Sequence, residues 1–346
     1  MKKNILLIIV ALATILLVGA DLAMALQPVP KESGFGGFFR PGVGYLRYKT
    51  NLVASFVGYD LSEKSINSRF NTPDSESSAF ALLPFSLHYT FADTRTQVLV
   101  GTELTDLVRF DYTQQIAVKQ ELGEFGILQA GFLFSAVPAK VWKDPYLVNQ
   151  ERSKTNRRSM GFRLAWDRIL QTDLQLQYTY RNIDVSSEQS GQSVAGLTPG
   201  QRELLKRDGG THQLEALYRF TLAEQHRLMP AIVFTLDDRD GGAMKSNAYD
   251  FQVTYAYNGD PITAFVTTFV GWADYDKENP IYLKKQEDDR FGLNGQVYYK
   301  NPWGWTLLGS DPMRFYISVA YMNIDSNINF YDQEGFLTTV GVGWTW

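Results

Sequence analysis

The sequence predicts an all-β protein, a single antiparallel transmembrane β-barrel of about 14 strands, with 12 or 16 also compatible. Three observations predict it. Apolar and polar residues alternate with period two along most of the chain. Short turns at one end of the strands alternate with long polar connections at the other. Aromatic residues bracket the apolar face at a fixed separation. Composition agrees. The 346 residues are 45% hydrophobic and 14% aromatic, with 22 Phe, 19 Tyr and 7 Trp, which excludes a disordered chain. A net charge of −4 leaves no electrostatic footprint for nucleic acid. The absence of Cys removes disulfides, thiolate metal sites, cysteine nucleophiles and a lipid-carrying cysteine together.

The elements follow in order. Lys2 and Lys3 precede an apolar run from Ile5 to Val18 and then the small-residue stretch Gly19 to Ala25. A basic start, a short apolar run and an Ala-x-Ala end read as a secretory signal peptide over 1–25, cleaved after Ala25. An uncleaved anchor helix is the competing reading, but about 20 apolar residues are needed to span a bilayer. Residues 26–346 then form one barrel domain without a linker.

Strands are predicted at 37–48, 85–91, 95–102, 107–121, 127–137, 157–168, 173–184, 212–220, 227–236, 249–257, 262–272, 290–299, 313–324 and 334–346. Within them Phe85, Leu87, Tyr89 and Phe91 alternate with Ser86, His88 and Thr90, and Leu174, Leu176, Tyr178 and Tyr180 alternate with Gln175, Gln177, Thr179 and Arg181. Successive side chains on a strand point to opposite faces, so each segment sends its aromatics to one side. Tyr249 to Tyr257 and Phe291 to Tyr299 are each eight residues apart. At ~3.3 Å per residue and a tilt near 40°, that separation covers roughly 20 Å of membrane depth, close to the ~25 Å band between aromatic girdles. The apolar face therefore meets lipid. A soluble sandwich is the rival, with the same rings sealed in a dry core.

Short turns fall at 92–94, 122–126, 168–172, 221–226 and 258–261, and the long connections at about 50–84, 138–156, 184–211, 237–248, 273–289 and 325–333. Short periplasmic turns and long extracellular loops are the outer-membrane pattern. Within loop 184–211, Thr198-Pro199-Gly200-Gln201 fits a capping box with Pro at the first helical position, and Gly209 and Gly210 supply a stop. A short helix is predicted at about 199–207, either a constriction folded toward the pore or a surface helix. Segment 50–84 is rich in apolar residues (Val53, Phe56, Val57, Tyr59, Phe80, Leu82, Leu83) and is expected to pack on the barrel mouth or enter the lumen. The acidic stretches 237–242 and 287–289 read as solvated loop tips, bridged to lipopolysaccharide by divalent ions.

The polar face then lines a lumen. By phase it carries Arg109, Lys119, Arg163, Arg181, Arg219, Arg290 and Arg314 against Asp111, Asp167, Glu215 and Asp250. The expected activity is a porin-like channel for passive diffusion of small polar or ionic solutes, with a weak preference for anions; the competing reading has these charges pairing across the wall. A non-conducting structural or surface-binding barrel is the alternative function. A barrel hydrolase ranks last: Ser86 and His88 share a face ~7 Å apart, with no third group to orient the imidazole. No Gly-rich phosphate loop, HExxH or Cys/His pattern occurs, so neither cofactor nor metal is expected.

The final strand alternates Val340, Val342, Trp344 and Trp346 with Gly341, Gly343 and Thr345. A closing aromatic resembles the assembly signal of outer-membrane barrels, which implies the barrel assembly machinery as a partner beside outer-membrane lipid and lipopolysaccharide. Further stretches carry a resemblance of their own: Leu83 to Phe91, Asp144-Pro145-Tyr146, Leu197-Thr198-Pro199, Glu215 to Arg219, Asn279-Pro280-Ile281-Tyr282, Gln286 to Arg290, Asp325-Ser326-Asn327-Ile328 and Phe330-Tyr331-Asp332. Over residues 28–346 the chain resembles the Gram-negative family known as domain of unknown function 2860. The resemblance implies a single-domain outer-membrane protein and supplies no site residues.

Overall fold

A computed structural model describes residues 28–56, 58–102 and 112–346. Its strands, in chain order, are β1 (Gly34–Phe39), β2 (Gly42–Lys49), β3 (Val53–Phe56), β4 (Tyr59–Asp60), β5 (Ser75–Leu82), β6 (Phe85–Phe91), β7 (Thr96–Thr102), β8 (Tyr112–Glu121), β9 (Ile127–Val137) and β10 (Ala139–Trp142). They continue with β11 (Lys154–Asp167), β12 (Leu174–Val185), β13 (Gly209–Tyr218), β14 (Phe220–Ala223), β15 (His226–Arg239), β16 (Ser246–Asn258), β17 (Ile262–Asn279), β18 (Lys284–Lys300), β19 (Arg314–Ser326) and β20 (Gln333–Thr345). Every pairing between them is antiparallel, and sequential neighbours pair around the wall until β20 returns to β1 and β2. β1 and β2 form one stave, kinked at Arg40-Pro41, as β5 and β6 do at Leu83-Pro84; a proline cannot donate to the ladder, so the regular pairing is interrupted and the stave bends there. Counted as staves, the wall is a closed barrel of 14 strands.

Closure follows from solvent. In hydrocarbon no water can satisfy a spare N–H or C=O, so a spanning sheet cannot keep an edge. The seam is continuous: Phe38 faces Thr345, and Val43 faces Val340.

The alternating faces separate as the pattern requires. Phe132, Phe162, Leu164, Ile232, Phe251, Val270 and Trp272 stand exposed on the outside of the wall. Their neighbours in sequence, including Leu133, Arg163, Ala231, Asp250 and Ala273, are buried inside. Tyr249 and Tyr257, and Phe291 and Tyr299, share the outward face. The rings therefore meet lipid and no dry sandwich core encloses them.

Several boundaries differ from expectation. Segments 273–289 and 237–248 are largely strand: β17 and β18 run on to a tight turn at 280–283, and β15 and β16 likewise extend past the membrane band to a short connection at 240–245. Above the membrane both faces of a strand meet water, so hydrophobic alternation fades while the backbone ladder continues. The acidic residues Asp237 and Glu287 to Asp289 accordingly lie on strands rather than at loop tips. β5 (Ser75–Leu82) is a strand within the connection expected at 50–84; its outward positions Ser77, Ala79 and Ala81 are small, so they give no apolar alternation. Part of the predicted strand 107–121 lies outside the described residues.

The first long connection enters the mouth. Its β3 pairs with β10 on the edge away from β11, and it turns back as β4. Phe56 and Leu61 pack on inward-facing Leu46, Tyr48 and Phe80. Tyr48 lies across Gly335, where an added Cβ would stand 2.8 Å from the ring. At the periplasmic end Leu217, Met229, Ala231, Ala256, Phe265, Tyr298 and Tyr316 form a second inward cluster.

A charge placed on the outer face at mid-depth should be costly, by ~2–4 kcal/mol near the midplane. Ile232→Lys is expected to lower folding stability in lipid vesicles by about that amount, and Gln252→Lys on the inner face by less than half of it, measured by urea titration of Trp fluorescence.

Candidate functional site

The inner wall divides into two unequal halves. Lys119 on β8, Arg163 and Asp167 on β11, Arg181 on β12, and Glu215 with Arg219 at the end of β13 occupy inward positions on one stretch of wall. Gln97, Gln115, Gln175 and Gln213 fill the spaces between them, each largely buried. The opposite stretch carries Phe38, Leu46, Tyr48, Phe80, Phe265, Tyr298 and Tyr316. The wall is dense: Lys119, Arg163, Asp167 and Arg181 are each no more than 6% exposed.

Individual partners show how these charges are held. Arg163 Nε donates to Thr179 Oγ1 at 3.0 Å, its register partner on β12. Arg181 faces Gly161 across the same pair of strands. Arg290 Nη1 lies 3.1 Å from Asp250 Oδ2, although their strands are separated by β17. The residue between them in register is Gly271, where a Cβ would come within 2.1 Å of Asp250 Oδ1. Only glycine leaves room for this pair to bridge the intervening strand, so here the expected cross-wall pairing of opposite charges is realised. Arg314, at the periplasmic end, donates to Thr263 Oγ1 at 3.1 Å. Arg109 and Asp111 lie outside the described residues. Val340, Val342 and Trp344 on β20, and Trp346 just past its end, take the outward phase, with Val340 and Trp346 exposed. His212 and His226 face outward too, their Nδ1 atoms bonded to the Tyr178 and Tyr255 hydroxyls at 2.7 and 2.6 Å.

The larger surprise is at the outer mouth. Tyr146, Leu205, Ile328, Phe330 and Tyr331 form a buried cluster, joined at its margin by Leu52, Ile66, Val194, Leu197, Met244, Ile281 and Tyr282. These residues come from six different connections, which interlock into a cap. Hydrogen bonds inside this core fix the geometry. The hydroxyls of Tyr146 and Tyr331 are 2.6 Å apart, and Asn279 Nδ2 donates to Tyr331 at 2.7 Å. The Tyr146 ring stacks on Phe330 with centroids 5.1 Å apart.

Three charged residues pin the loops to one another. Asp144 accepts from the backbone N–H groups of Tyr146, Gly191 and Ser193, tying two loops together. Arg207 donates from Nε and Nη2 to the two Glu188 oxygens, at 2.8 and 3.0 Å, and to the Trp142 carbonyl at 2.7 Å. Arg152 donates to the carbonyls of Asn51 and Pro145 and lies over the Trp142 ring at 4.5 Å. Burial lowers the Arg152 guanidinium to about 10 against the pull of Glu63 and Asp144. Burial pushes the Tyr146, Tyr282 and Tyr331 hydroxyls well up, so all three stay protonated at neutral pH. Burial alone would raise the Glu188 carboxyl, but Arg207 and the bonds from Ser190 outweigh it and hold it below the ordinary carboxylate range.

The helix in the third of these loops, α1 (Pro199–Glu203), has the expected capping box between Thr198 and Gln201. It ends sooner than the expected 207, because Leu205 N–H turns back to the Arg202 carbonyl and drops the Leu205 side chain into the cap core. Gly209 and Gly210 begin β13 rather than stopping the helix. The cap residues escaped the periodicity argument, since loop aromatics have no period. The signal available was their presence in the very stretches that carry the family resemblance: Asp144 and Tyr146, Asn279 and Tyr282, Phe330 and Tyr331.

A closed antiparallel barrel, lipid-facing outside, polar over part of its inside, with long loops at one mouth, is an outer-membrane β-barrel. The chain belongs to the family described as Protein of unknown function (DUF2860), whose model matches residues 34–345. No curated protein matches it. Among solved structures, its fold is similar to OmpT lacking loop L8, an outer membrane protein of Vibrio cholerae (12% identity, TM-score 0.41, 90% of this chain and 99% of that chain). It is also similar to the deltaS2S3 mutant of the monoaromatic hydrocarbon channel TodX (8% identity, TM-score 0.45, 96% and 95%). An anion-selective porin from Comamonas acidovorans is a third (11% identity, TM-score 0.36, 91% and 100%). These likenesses are of fold.

Because Glu188 is held below its unfolded value, its contribution is complete above the ordinary carboxylate value of ~4.3 and is lost as pH falls through the depressed folded value. Limited proteolysis of the loops should therefore stay slow at neutral pH and accelerate only below ~pH 4, and Glu188→Gln should remove that dependence. Tyr331→Phe, which strips a hydroxyl shared by two buried partners, should cost the cap ~1–3 kcal/mol in the same assay.

Proposed function

We propose that this barrel is an outer-membrane channel for small polar or ionic solutes, with a preference for anions. The observation that supports this reading most is the cationic stretch of inner wall. Lys119, Arg163, Arg181 and Arg219 stand on four staves against Asp167 and Glu215, while Asp250 and Arg290 neutralise each other elsewhere. Rings or rows of one sign at a narrow passage set selectivity. In this reading the dense wall limits passage to small solutes, and the interlocked loops close the outer mouth until they part. Residues 1–25 serve as the export signal, and the strand ending in Trp344 and Trp346 presents the signal read by the assembly machinery. No catalytic role is assigned.

The second reading is a barrel whose loops, not its lumen, do the work. The cap favours it, because a dry core built from six connections makes a rigid outer surface. Reconstitution in a planar bilayer separates the two. The channel reading predicts stepwise conductance, a reversal potential shifted toward the anion in a salt gradient, and a shift toward the cation in Arg163→Glu and Arg181→Glu. Deleting 189–209 should raise conductance by opening the cap. A folded barrel that stays silent with and without that segment contradicts the channel reading.

A further inference from the structure

A groove of about 520 Å³ lies against the wall where the barrel closes. Val43 and Tyr45 of β2, Ala79 and Ala81 of β5, and Val340 of β20 line it, with Tyr59 of β4 along one edge. The five strand residues share the lipid-facing phase: Val43 is in register with Ala81 and Val340, and Tyr45 with Ala79. Alanines set between larger neighbours create the depression.

What fills it follows from its polar atoms. The Tyr45 hydroxyl donates to Ser77 Oγ at 2.8 Å, and the Tyr59 hydroxyl accepts from the Ala81 N–H at 3.1 Å. With both tyrosine hydroxyls engaged, the Thr338 hydroxyl is the one other polar side-chain group of the lining, and water needs two to four partners. A hydrocarbon chain needs none. The groove is therefore suited to an acyl chain.

The headgroup level carries the complementary charge. Two and four residues above Tyr45 on the same face stand Arg47 and Lys49, at the end of the barrel that bears the long loops. Arg47 is exposed and donates to the neutral Ser75 hydroxyl at 3.2 Å; Lys49 pairs with Glu334 at 2.8 Å. Beyond the β3–β4 hairpin, Lys140 bonds to Asn156 and Lys154 pairs with Asp60. Basic side chains thus flank the groove on both sides.

We propose that this groove is a binding site for a phosphorylated glycolipid of the outer leaflet, of the lipid A class, with one acyl chain between Tyr45 and Tyr59 and a phosphate on Arg47. Two phosphates at opposite ends of a sugar backbone match cations on both flanks, whereas a glycerophospholipid brings one. Guanidinium suits this role, because its planar fork pairs with phosphate oxygens in bidentate fashion.

Native mass spectrometry of the delipidated barrel in detergent tests this, with bisphosphorylated lipid A and phosphatidylglycerol as the two probes. Lipid A should be retained about ten-fold better than phosphatidylglycerol. Arg47→Gln should lower lipid A retention about ten-fold and largely erase the difference between probes. Ala81→Phe, which fills the groove, should reduce both to background, while Ala130→Phe on the lipid face of β9 should change neither. Equal retention of the two lipids by the wild-type barrel overturns the proposal, as does undiminished lipid A in Ala81→Phe. Should Ala81→Phe lose heat-modifiable migration on gels, Arg47→Gln decides: unchanged retention there refutes the site.

Discussion

Unsatisfied backbone is the constraint from which the rest follows. In hydrocarbon each spare N–H or C=O costs several kcal/mol, so a spanning sheet must find its own far edge. The pairing of β20 with β1 and β2 meets that demand, and it fixes everything the wall can then do. With register set at the seam, period two sends one residue set to lipid and the other inward along every stave. The prolines at Pro41 and Pro84 are tolerated because the staves bend there instead of breaking, with the Arg40 N–H donating to the Pro84 carbonyl.

A closed wall also gives the loops something rigid to stand on. β17 and β18 have 18 and 17 residues, well beyond the 9–11 that cross a bilayer, and their upper ends carry Asn279 and Tyr282 into the cap. The cap is in effect a small soluble core on a membrane scaffold. It combines apolar burial with buried polar groups that all answer to a named loop: Asp144, Glu188, Arg152 and Arg207. Its charged pins matter because a connection on its own could not offset the conformational entropy of ordering.

The sequence made the membrane band legible and little above it. Segments such as 249–257 and 290–299 alternate cleanly because one face meets lipid, and the structure places them as read. Asp274 and Glu287 are register partners on continuing strands, yet they read as loop, since both faces of those strands meet water. The inward phase of Arg163, Arg181 and Arg290 was visible in the pattern. The pairing of Arg290 with Asp250 was not, because it depends on a glycine on the strand between them and on a register that no single segment records. Tyr146, Phe330 and Tyr331 come together only through the tertiary arrangement of loops distant in sequence.

The central claim is the orientation of the wall, and the absence of Cys in the natural chain makes it directly measurable. Single cysteines at successive positions 249–257 can be spin-labelled in liposomes and their collision rates with oxygen and with a water-soluble nickel chelate compared. Odd positions should favour oxygen and even positions the nickel complex, alternating residue by residue. Labels that are inaccessible to both probes on the odd face, or an inverted alternation, would contradict the account.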